Sequence, residues 1–329
     1  YKREAYLTMK RKNLRQALKI PGCIAGCLLA VIAVYLLYVI LDYHRIEDYV
    51  DLEIKQPDSE NTAEALQTDK EYAIITYNIG FGAYTPDFSF FMDGGTQSVA
   101  KSKESVLETV TGAAKLVRQE NAQFYLFQEA HIQSTTTNQL HQNPLLQTFI
   151  PEYNTNKAQN YDSPFLFYPL LQPHGKSYAG LALYSQFPVT QAVRRSFPIS
   201  KSFSKYLDLD RCYSVNRIPV ENGRELCIYQ LHMSAYGNND AIREGQISMI
   251  CADMEAEYKA GNYIICGGDF NHDLKCLEDT GDGYASWAYP FPRESLPDGL
   301  TFVLDSFSRE ERDAMHNSAR NADMAYEEG

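Results

Sequence analysis

Apolar positions along the chain form one long uninterrupted run and a series of short runs. The long run extends from Ile20 to Leu41 and contains no charged side chain. Between the short, strand-like runs, three- and four-residue spacing of apolar positions predicts helices over Val99–Val117 and Ile242–Met254. The strand-like runs cover residues 72–75, 124–126, 180–185, 226–229 and 263–265. The pattern predicts an apolar amino-terminal helix followed by a domain of strands and helices.

The most informative segment for function is 266–273, Cys-Gly-Gly-Asp-Phe-Asn-His-Asp, which directly follows the apolar run Tyr263–Ile265. Its two glycines allow a tight turn at the end of a strand. Asp269 and Asn271 are then expected at the carboxyl edge of a sheet, where open α/β folds bind their ligands. A carboxylate and an amide at this spacing can orient a water molecule or a phosphate oxygen, although an Asx turn explains the same pair.

Three further polar residues, Asn78, Glu129 and His232, also stand at the carboxyl ends of apolar strand-like runs. Each has an ordinary explanation by itself: the Asn caps a turn, the Glu is solvated, and the His is a packing residue. Five such placements in one chain, counting the two residues above, instead predict a shared site.

With these residues in this order, the chain resembles the endonuclease/exonuclease/phosphatase superfamily over about residues 72–275. The resemblance rests on Gly-Asp-Phe-Asn at 268–271, Gln-Glu at 128–129, Asn78 and His232. It implies a four-layer α/β sandwich, in which two mixed β-sheets pack face to face with helices outside and the site lies at one edge. It also implies hydrolysis of phosphoesters with Mg²⁺ or Mn²⁺.

The chemistry of these side chains suits phosphoester hydrolysis, which needs neutralised phosphoryl oxygens, an in-line water and a protonated leaving oxygen. Glu129 is the expected metal ligand, because Mg²⁺ takes one or two carboxylates together with waters and the substrate phosphate. Asn78 is expected to support the metal or donate to the phosphate. Asp269 is expected to accept a proton from the attacking water or to hold its base, with Asn271 aiming it. His232, with an unperturbed pKa of ~6.5, is expected to donate to the phosphate in the transition state.

The chain departs from the family at its carboxyl end. Family members close with a Ser-Asp-His whose His partners the catalytic Asp, and no Ser-Asp-His occurs in these 329 residues. Either the sequence is a fragment that lacks its last residues, or the protein is a degenerate member. We favour the fragment, and therefore expect the chain as written to aggregate and to be essentially inactive. His131 also stands where many relatives place an Asp.

The apolar run Ile20–Leu41 is long enough to cross a bilayer, since about 22 residues at ~1.5 Å each cover the ~30 Å hydrocarbon core. Basic residues precede it and acidic residues follow it, which favours a cytoplasmic amino end and an extracytoplasmic domain in the cell membrane. A secretory signal peptide is a rival, but its apolar region is normally shorter, and no Ala-x-Ala-like site follows Leu41. An uncleaved single-pass anchor is predicted in preference to a signal peptide or a buried core helix.

These features predict four segments: a basic cytoplasmic segment 1–19, a transmembrane anchor 20–41, a juxtamembrane linker 42–71 and a catalytic domain 72–329, truncated at its carboxyl end. The net charge is −12 for the chain and +6 for residues 1–41, which leaves −18 for the rest. So acidic a domain is expected to repel bulk nucleic acid. Five cysteines lie outside the anchor without C-x-x-C spacing, so no zinc motif is indicated and their disulfide status stays open.

The leading hypothesis is a membrane-anchored, Mg²⁺-dependent phosphoesterase that cleaves phosphodiester or phosphomonoester bonds by in-line attack of water. The alternative is a non-catalytic surface binding module on the same scaffold. Nucleic acid, a phospholipid headgroup and a small phosphate ester remain open as substrates, and no protein partner is indicated. The irregular stretch 80–95 is either a surface loop with tucked aromatics or a wall of the site. Four arginines near the motifs can contact phosphate but are not assigned to the site: Arg194, Arg195, Arg211 and Arg217.

Overall fold

The structure is a computed structural model that describes residues 2–57, 63–206, 208–235, 240–275, 290–319 and 322–326, without the side chains of residues 2–18, 204 and 240. The chain forms two compact units, Tyr1–His44 and Arg45–Gly329.

The first unit contains a single long helix, α1 (Lys2–Asp42). Within the described residues, Lys19–Asp42 is the one helical stretch long and apolar enough to cross a membrane, judged by length and composition alone. Only 6% of the most apolar 18 residues of this stretch are buried. A core helix of a soluble protein is mostly buried, whereas an anchor and a signal sequence share these features.

In the part of the second unit that the structure describes, there are nine strands and four α-helices. The strands are β1 (Val50–Asp51), β2 (Ile74–Asn78), β3 (Phe124–His131), β4 (Asn154–Asp162), β5 (Tyr178–Ser185), β6 (Gln191–Ser196), β7 (Cys212–Pro219), β8 (Glu225–His232) and β9 (Tyr263–Asp269). The helices are α2 (Lys103–Gln119), α3 (Gln142–Phe149), α4 (Asp240–Lys259) and α5 (Arg309–Ala314). The strands form one sheet of order β1-β6-β7-β8-β9 and a second of order β2-β3-β5-β4.

Both sheets are mixed. The pairs β2–β3 and β8–β9 are parallel, and the other neighbouring strands are antiparallel. A parallel pair gathers the carboxyl ends of its strands at one edge of its sheet. Each sheet therefore contributes two strand ends to the chemistry described below.

The side chains of β3 show how the layers pack. Phe124 and Leu126 join a buried cluster between the two sheets, with Leu183 of β5 and Ile228 of β8. Tyr125 and Phe127 point to the opposite face, because side chains alternate along a strand, and pack with apolar residues of α2 and α3. A third cluster covers the outer face of the other sheet with residues of α4. These layers confirm the predicted four-layer α/β sandwich.

The two helices predicted from apolar spacing are present as α2 and α4. Helix α2 begins at Lys103 rather than near Val99, because Ser102 is its amino-terminal cap and accepts a hydrogen bond from the Ser105 N–H at 3.1 Å. Its buried positions, Val106 and Val110 among them, keep the predicted spacing.

Residues 45–57, in the interval predicted as a linker, run against the domain. Strand β1 pairs with β6, and Lys55 forms a bridge with Thr155. Leu66 further along is buried and forms a bridge with Val220. Residues 58–62 lie outside the described residues.

Candidate active site

One amide group links the two sheets at their common edge. The Nδ2 of Asn78, at the end of β2, donates to Oδ2 of Asp269 at 2.8 Å and to Oε1 of Glu129 at 3.2 Å. Its Oδ1 accepts a hydrogen bond from the Gly80 N–H at 2.9 Å, which fixes the amide so that its nitrogen faces the carboxylates. Asn78 therefore joins two carboxylates that are 140 positions apart in the chain. Asp269, the more distant of the two, is 191 positions from Asn78.

The direction of Glu129 depends on an irregularity in β3. The register between β3 and β5 shifts between Phe127 and Ala130, and Glu129 has φ of 55°. A β-bulge of this kind inserts an extra residue and re-aims a side chain. Gln128 beside it is buried and donates to the Leu126 carbonyl at 3.0 Å. The bulge thus directs Glu129 to the site instead of into a core layer.

The turn after β9 fixes Asp269 from its other side. Its Oδ1 accepts a hydrogen bond from the Asn271 N–H at 2.9 Å, which is the Asx turn considered from the sequence. The Asn271 side chain donates to the Met233 carbonyl at 2.8 Å, just beyond β8. The turn and the site are therefore the same structure, and the turn sets the orientation of the carboxylate.

His232 completes the group of five predicted residues. It is 2% exposed, and its Nε2 lies 3.8 Å from Oδ2 of Asp269 and 4.0 Å from Oε1 of Glu129. Its Nδ1 has no hydrogen-bond partner among the described residues. Burial, together with the positive charge of Arg211, lowers the pKa of His232 well below its usual range. The structure thus brings all five predicted site residues together, and their individual roles stay predictions.

The surroundings of Glu129 disfavour the ionisation of its carboxyl group. Partial burial raises the pKa of Glu129 to about 7, and the negative charges of Asp269 and Asp93 act in the same direction. The hydrogen bond from Asn78 and the charge of Arg211 oppose them. Asp93 lies in the irregular stretch 80–95, so that stretch borders the site while its Phe81 and Phe88 are buried beneath it. Sequence reasoning singled out the stretch but not Asp93.

Arg211 is the functional candidate that sequence reasoning considered and left out. It is 3% exposed, and Nη2 lies 3.7 Å from Oδ1 of Asp208. Its Nε and Nη1 have no hydrogen-bond partner among the described residues. Buried cationic groups are normally paired, so the donors of Arg211 that lack a partner among the described residues suit an anionic ligand. The register of β7 with β8, which pairs Cys212 with His232, brings it there.

The other three arginines have partners within the protein. Arg194 donates to the carbonyls of Gln159 and Glu47 at 2.6 and 2.7 Å, and to that of Asp210 at 3.0 Å. Arg195 pairs with Asp48 and Asp253, and Arg217 pairs with Glu225 and Glu257. This difference in partners distinguishes Arg211 from its neighbours.

Three other histidines are not among the predicted site residues. Nδ1 of His131 is hydrogen-bonded to Oγ1 of Thr136 at 3.0 Å, inside the core. Nδ1 of His272 lies 2.6 Å from the carbonyl oxygen of Phe270, two positions earlier in the chain. His316 is exposed in the turn after α5.

The oxygen ligands at this edge fit a hard divalent cation whose coordination shell is completed by the substrate. The described residues contain no group of three or more His, Cys, Asp or Glu placed to hold a metal alone. Glu129 and Asp269 nevertheless present two carboxylates to one amide, in a place where burial and the charge of Asp269 both raise the pKa of Glu129. Mg²⁺ is usually bound in this way, through one or two carboxylates with waters and phosphate oxygens as the remaining ligands.

Comparison with known proteins gives one family. Residues 75–301 match the model of the Endonuclease/Exonuclease/phosphatase family. No curated protein matches the chain. The family assignment therefore rests on this match over more than half of the chain.

Solved structures with a similar fold include members of the same family. An endonuclease/exonuclease/phosphatase from Beutenbergia cavernae is 16% identical, with a TM-score of 0.42 over 60% of this chain and 47% of its own. ANGEL2, a 2',3'-cyclic phosphatase, is 14% identical, with a TM-score of 0.40 over 70% and 56%. A mannosyl-6-phosphatase from Bacteroides thetaiotaomicron is 17% identical, with a TM-score of 0.38 over 62% and 67%. The chain thus spans about half the length of the first two.

Proposed function

We propose that this chain, which belongs to the Endonuclease/Exonuclease/phosphatase family, is a metal-dependent hydrolase of phosphoric esters. The family predicted from the sequence is confirmed by the match over residues 75–301. The observation that carries the proposal is the Asn78 amide, which donates to both Glu129 and Asp269 beside a buried His232. Two carboxylates held by a neutral amide suit a cation and a water better than they suit a stable core.

In the proposed mechanism, Glu129 is the metal ligand and Asn78 supports it by fixing the carboxylate. When bound, Mg²⁺ or Mn²⁺ would supply charge neutralisation at the phosphoryl group. Arg211 would donate to another phosphate oxygen through Nε and Nη1, which have no partner among the described residues. These residues bring the ester into the site and orient it.

Proton handling is assigned to the other three residues. Asp269 would accept a proton from the attacking water, or hold the base that does, with the Asn271 N–H fixing its second oxygen at 2.9 Å. His232 is neutral near pH 7 because its pKa is low, so it would donate a single hydrogen bond to the phosphate. The attack itself is proposed to be in line with the departing oxygen.

The decisive experiment is Glu129→Gln in the full-length protein, with activity measured against Mg²⁺ concentration on a diester and a monoester of p-nitrophenol. We expect a loss of about 10²–10³-fold, the size of a lost charge-stabilising group, since an amide is a poor ligand for a hard cation. The melting temperature is expected to stay the same or rise, because the fold disfavours the charged form of Glu129. The exposed Glu108→Gln on α2 is the matched control.

Wild-type turnover of Glu129→Gln at saturating Mg²⁺ would exclude Glu129 as the ligand. Binding of inorganic phosphate without any turnover in the unsubstituted protein would instead support the alternative, a surface binding module.

We also propose that residues 20–41 anchor the protein in the cell membrane as a single span, with the amino end in the cytoplasm and the catalytic domain outside. The length and apolar character of Lys19–Asp42 support the span, and the basic residues before it support the orientation. The strong negative charge of residues 42–329 favours a phospholipid headgroup or a small phosphate ester over bulk nucleic acid as substrate.

A further inference from the structure

The segment between β4 and β5 exposes an unusual set of apolar side chains. Residues 163–175, Ser-Pro-Phe-Leu-Phe-Tyr-Pro-Leu-Leu-Gln-Pro-His-Gly, contain no charged residue in a chain that is 22% charged. At the tip of this segment, the apolar loop, Leu171 is 102% exposed and Leu170 is 83% exposed, with Tyr168 at 70% and Phe167 at 53%. Single exposed apolar residues are ordinary, but four within five positions form a patch.

The base of the apolar loop is ordered, so the exposure of its tip is built into the fold. Leu166 and Gly175 exchange two backbone hydrogen bonds, each of 3.0 Å. Above them, the His174 N–H donates to the Tyr168 carbonyl at 3.2 Å. The Ser98 N–H donates to the Gln172 side chain at 3.0 Å and ties the loop to the neighbouring segment. A rigid base presents the leucines to the outside instead of letting them fold back.

The apolar loop lies at the same edge of the molecule as the candidate active site. Strand β5 begins three positions after the last residue of the loop, and its Ala179 and Gly180 pair with His131 and Ala130 of β3, next to Glu129. The ring of Tyr168 lies 5.9 Å from that of Phe91, in the stretch that also carries Asp93. Whatever covers the loop therefore also faces the site.

A lipid bilayer fits this surface better than a protein does. A standard protein interface uses roughly 20–30 residues a side with a polar rim, whereas the tip is four convex side chains without a charge among them. Tyrosine beside leucines is typical of segments that enter the membrane interface. The three prolines at 164, 169 and 173 lack the N–H group that is costly to bury in lipid.

We propose that the apolar loop inserts into the surface of a phospholipid bilayer, with Leu170 and Leu171 reaching the acyl chains and Tyr168 at the headgroups. The insertion turns the edge that carries the candidate site towards the lipid. Only Tyr43 and His44 separate the end of α1 from the second unit. If α1 is held in a membrane, the effective concentration of bilayer around the loop is therefore high. The few apolar side chains at the tip of the loop are then enough to hold it at the bilayer surface.

The test is fluorescence quenching in the full chain, reconstituted in phosphatidylcholine vesicles with brominated acyl chains. The sole tryptophan is removed by Trp287→Phe, and a reporter is introduced by Leu171→Trp. The matched control is Leu116→Trp, which is 55% exposed near the end of α2. Helix α2 leads from the end of β2 to the start of β3, so this control lies at the edge opposite the site.

We expect the Leu171→Trp emission to shift to the blue and to lose most of its intensity in brominated vesicles, while the Leu116→Trp emission keeps its intensity. Equal quenching of the two reporters would overturn the proposal. A blue shift of Leu171→Trp without quenching would mean that protein covers the loop, and this outcome would overturn it too. Neither result depends on hydrolysis, so the inference stands or fails separately from the proposed activity.

Discussion

Asn78 and Arg211 illustrate two ways in which this site keeps charge in a partly buried place. The Asn78 amide is held by the Gly80 N–H and donates to both carboxylates, so it reduces their repulsion without adding charge. Arg211 adds a positive charge, which opposes the burial that raises the pKa of Glu129 and acts together with burial in lowering the pKa of His232. The amide has partners for both of its polar atoms, whereas Nε and Nη1 of Arg211 have none among the described residues.

At the residue scale, we predict that Arg211→Met lowers kcat/KM for phosphate esters by about 10²–10³-fold, because a positioned donor to the phosphate is lost. Its free energy of unfolding should be unchanged or higher, since a buried charge with free donors is costly to the fold. Steady-state kinetics and urea denaturation measure the two effects.

The matched control is Arg194→Met, which removes the donor from three backbone carbonyls. We expect this variant to lose stability by about 1–3 kcal/mol for each acceptor left without a partner. Comparable loss of stability in Arg211→Met would mean that Arg211 is a structural residue.

At the element scale, the ends of β3 and β9 aim the two carboxylates, and each does so with an unusual backbone. Glu129 in the bulge has φ of 55°, and Gly268 just before Asp269 has φ of 141°. A side chain at position 268 would begin 2.1 Å from the Leu231 carbonyl oxygen of β8. The close approach of β8 and β9 at this point therefore requires glycine.

We predict that Gly268→Ala destabilises the domain by more than about 2 kcal/mol, because both the backbone conformation and the contact with Leu231 are incompatible with a methyl group. Activity should fall with it, since Asp269 is displaced. The control is Gly112→Ala inside α2, where nothing lies within 4 Å of the added carbon. That change should stabilise by about 0.5–1 kcal/mol. Chemical denaturation gives both values, and a neutral Gly268→Ala would contradict the argument.

At the scale of the whole molecule, buried histidines make the fold sensitive to acid. Burial lowers the pKa of His174 to about 4 and that of His131 to about 3. A folded state that holds these groups neutral keeps its full stability above the unfolded pKa of ~6.5 and loses stability as the pH falls through this range towards the folded values.

We predict that His174 alone contributes about 2 kcal/mol to the stability lost between pH 7 and pH 5. Urea denaturation at the two pH values should therefore show a smaller pH effect in His174→Gln than in the unsubstituted protein. The exposed His316→Gln should leave the pH effect as it was. Equal pH effects in all three proteins would show that His174 does not carry this dependence.

Orientation in the membrane is a second property of the whole molecule. With residues 20–41 as an anchor and basic residues before them, protease or an impermeant label added to intact cells should reach residues 72–329. Lysed cells provide the fully accessible control. Protection of the domain until lysis would contradict the proposed orientation.

The sequence by itself determined the family and the layered α/β fold, and it predicted the five polar residues that the structure places close together. It could do so because these features depend on local order: apolar periodicity sets each strand, and a polar residue at the strand end follows directly in the chain. The apolar runs at 72–75 and 124–126 predicted β2 and β3 in this way. Because these two strands are parallel, their carboxyl ends meet at one edge of the sheet.

Only the tertiary structure decided which charged residues are available for function. Arg194 and Arg211 both look like isolated basic residues in the sequence, yet Arg194 donates to three backbone carbonyls, one of them 147 positions away, whereas Nε and Nη1 of Arg211 have no partner in the part of the chain that the structure describes. The bulge that turns Glu129, the approach of Asp93 and the exposure of Leu171 are likewise fixed by contacts between distant segments. Burial and pairing depend on what packs against a residue, and the chain order around that residue does not contain this information.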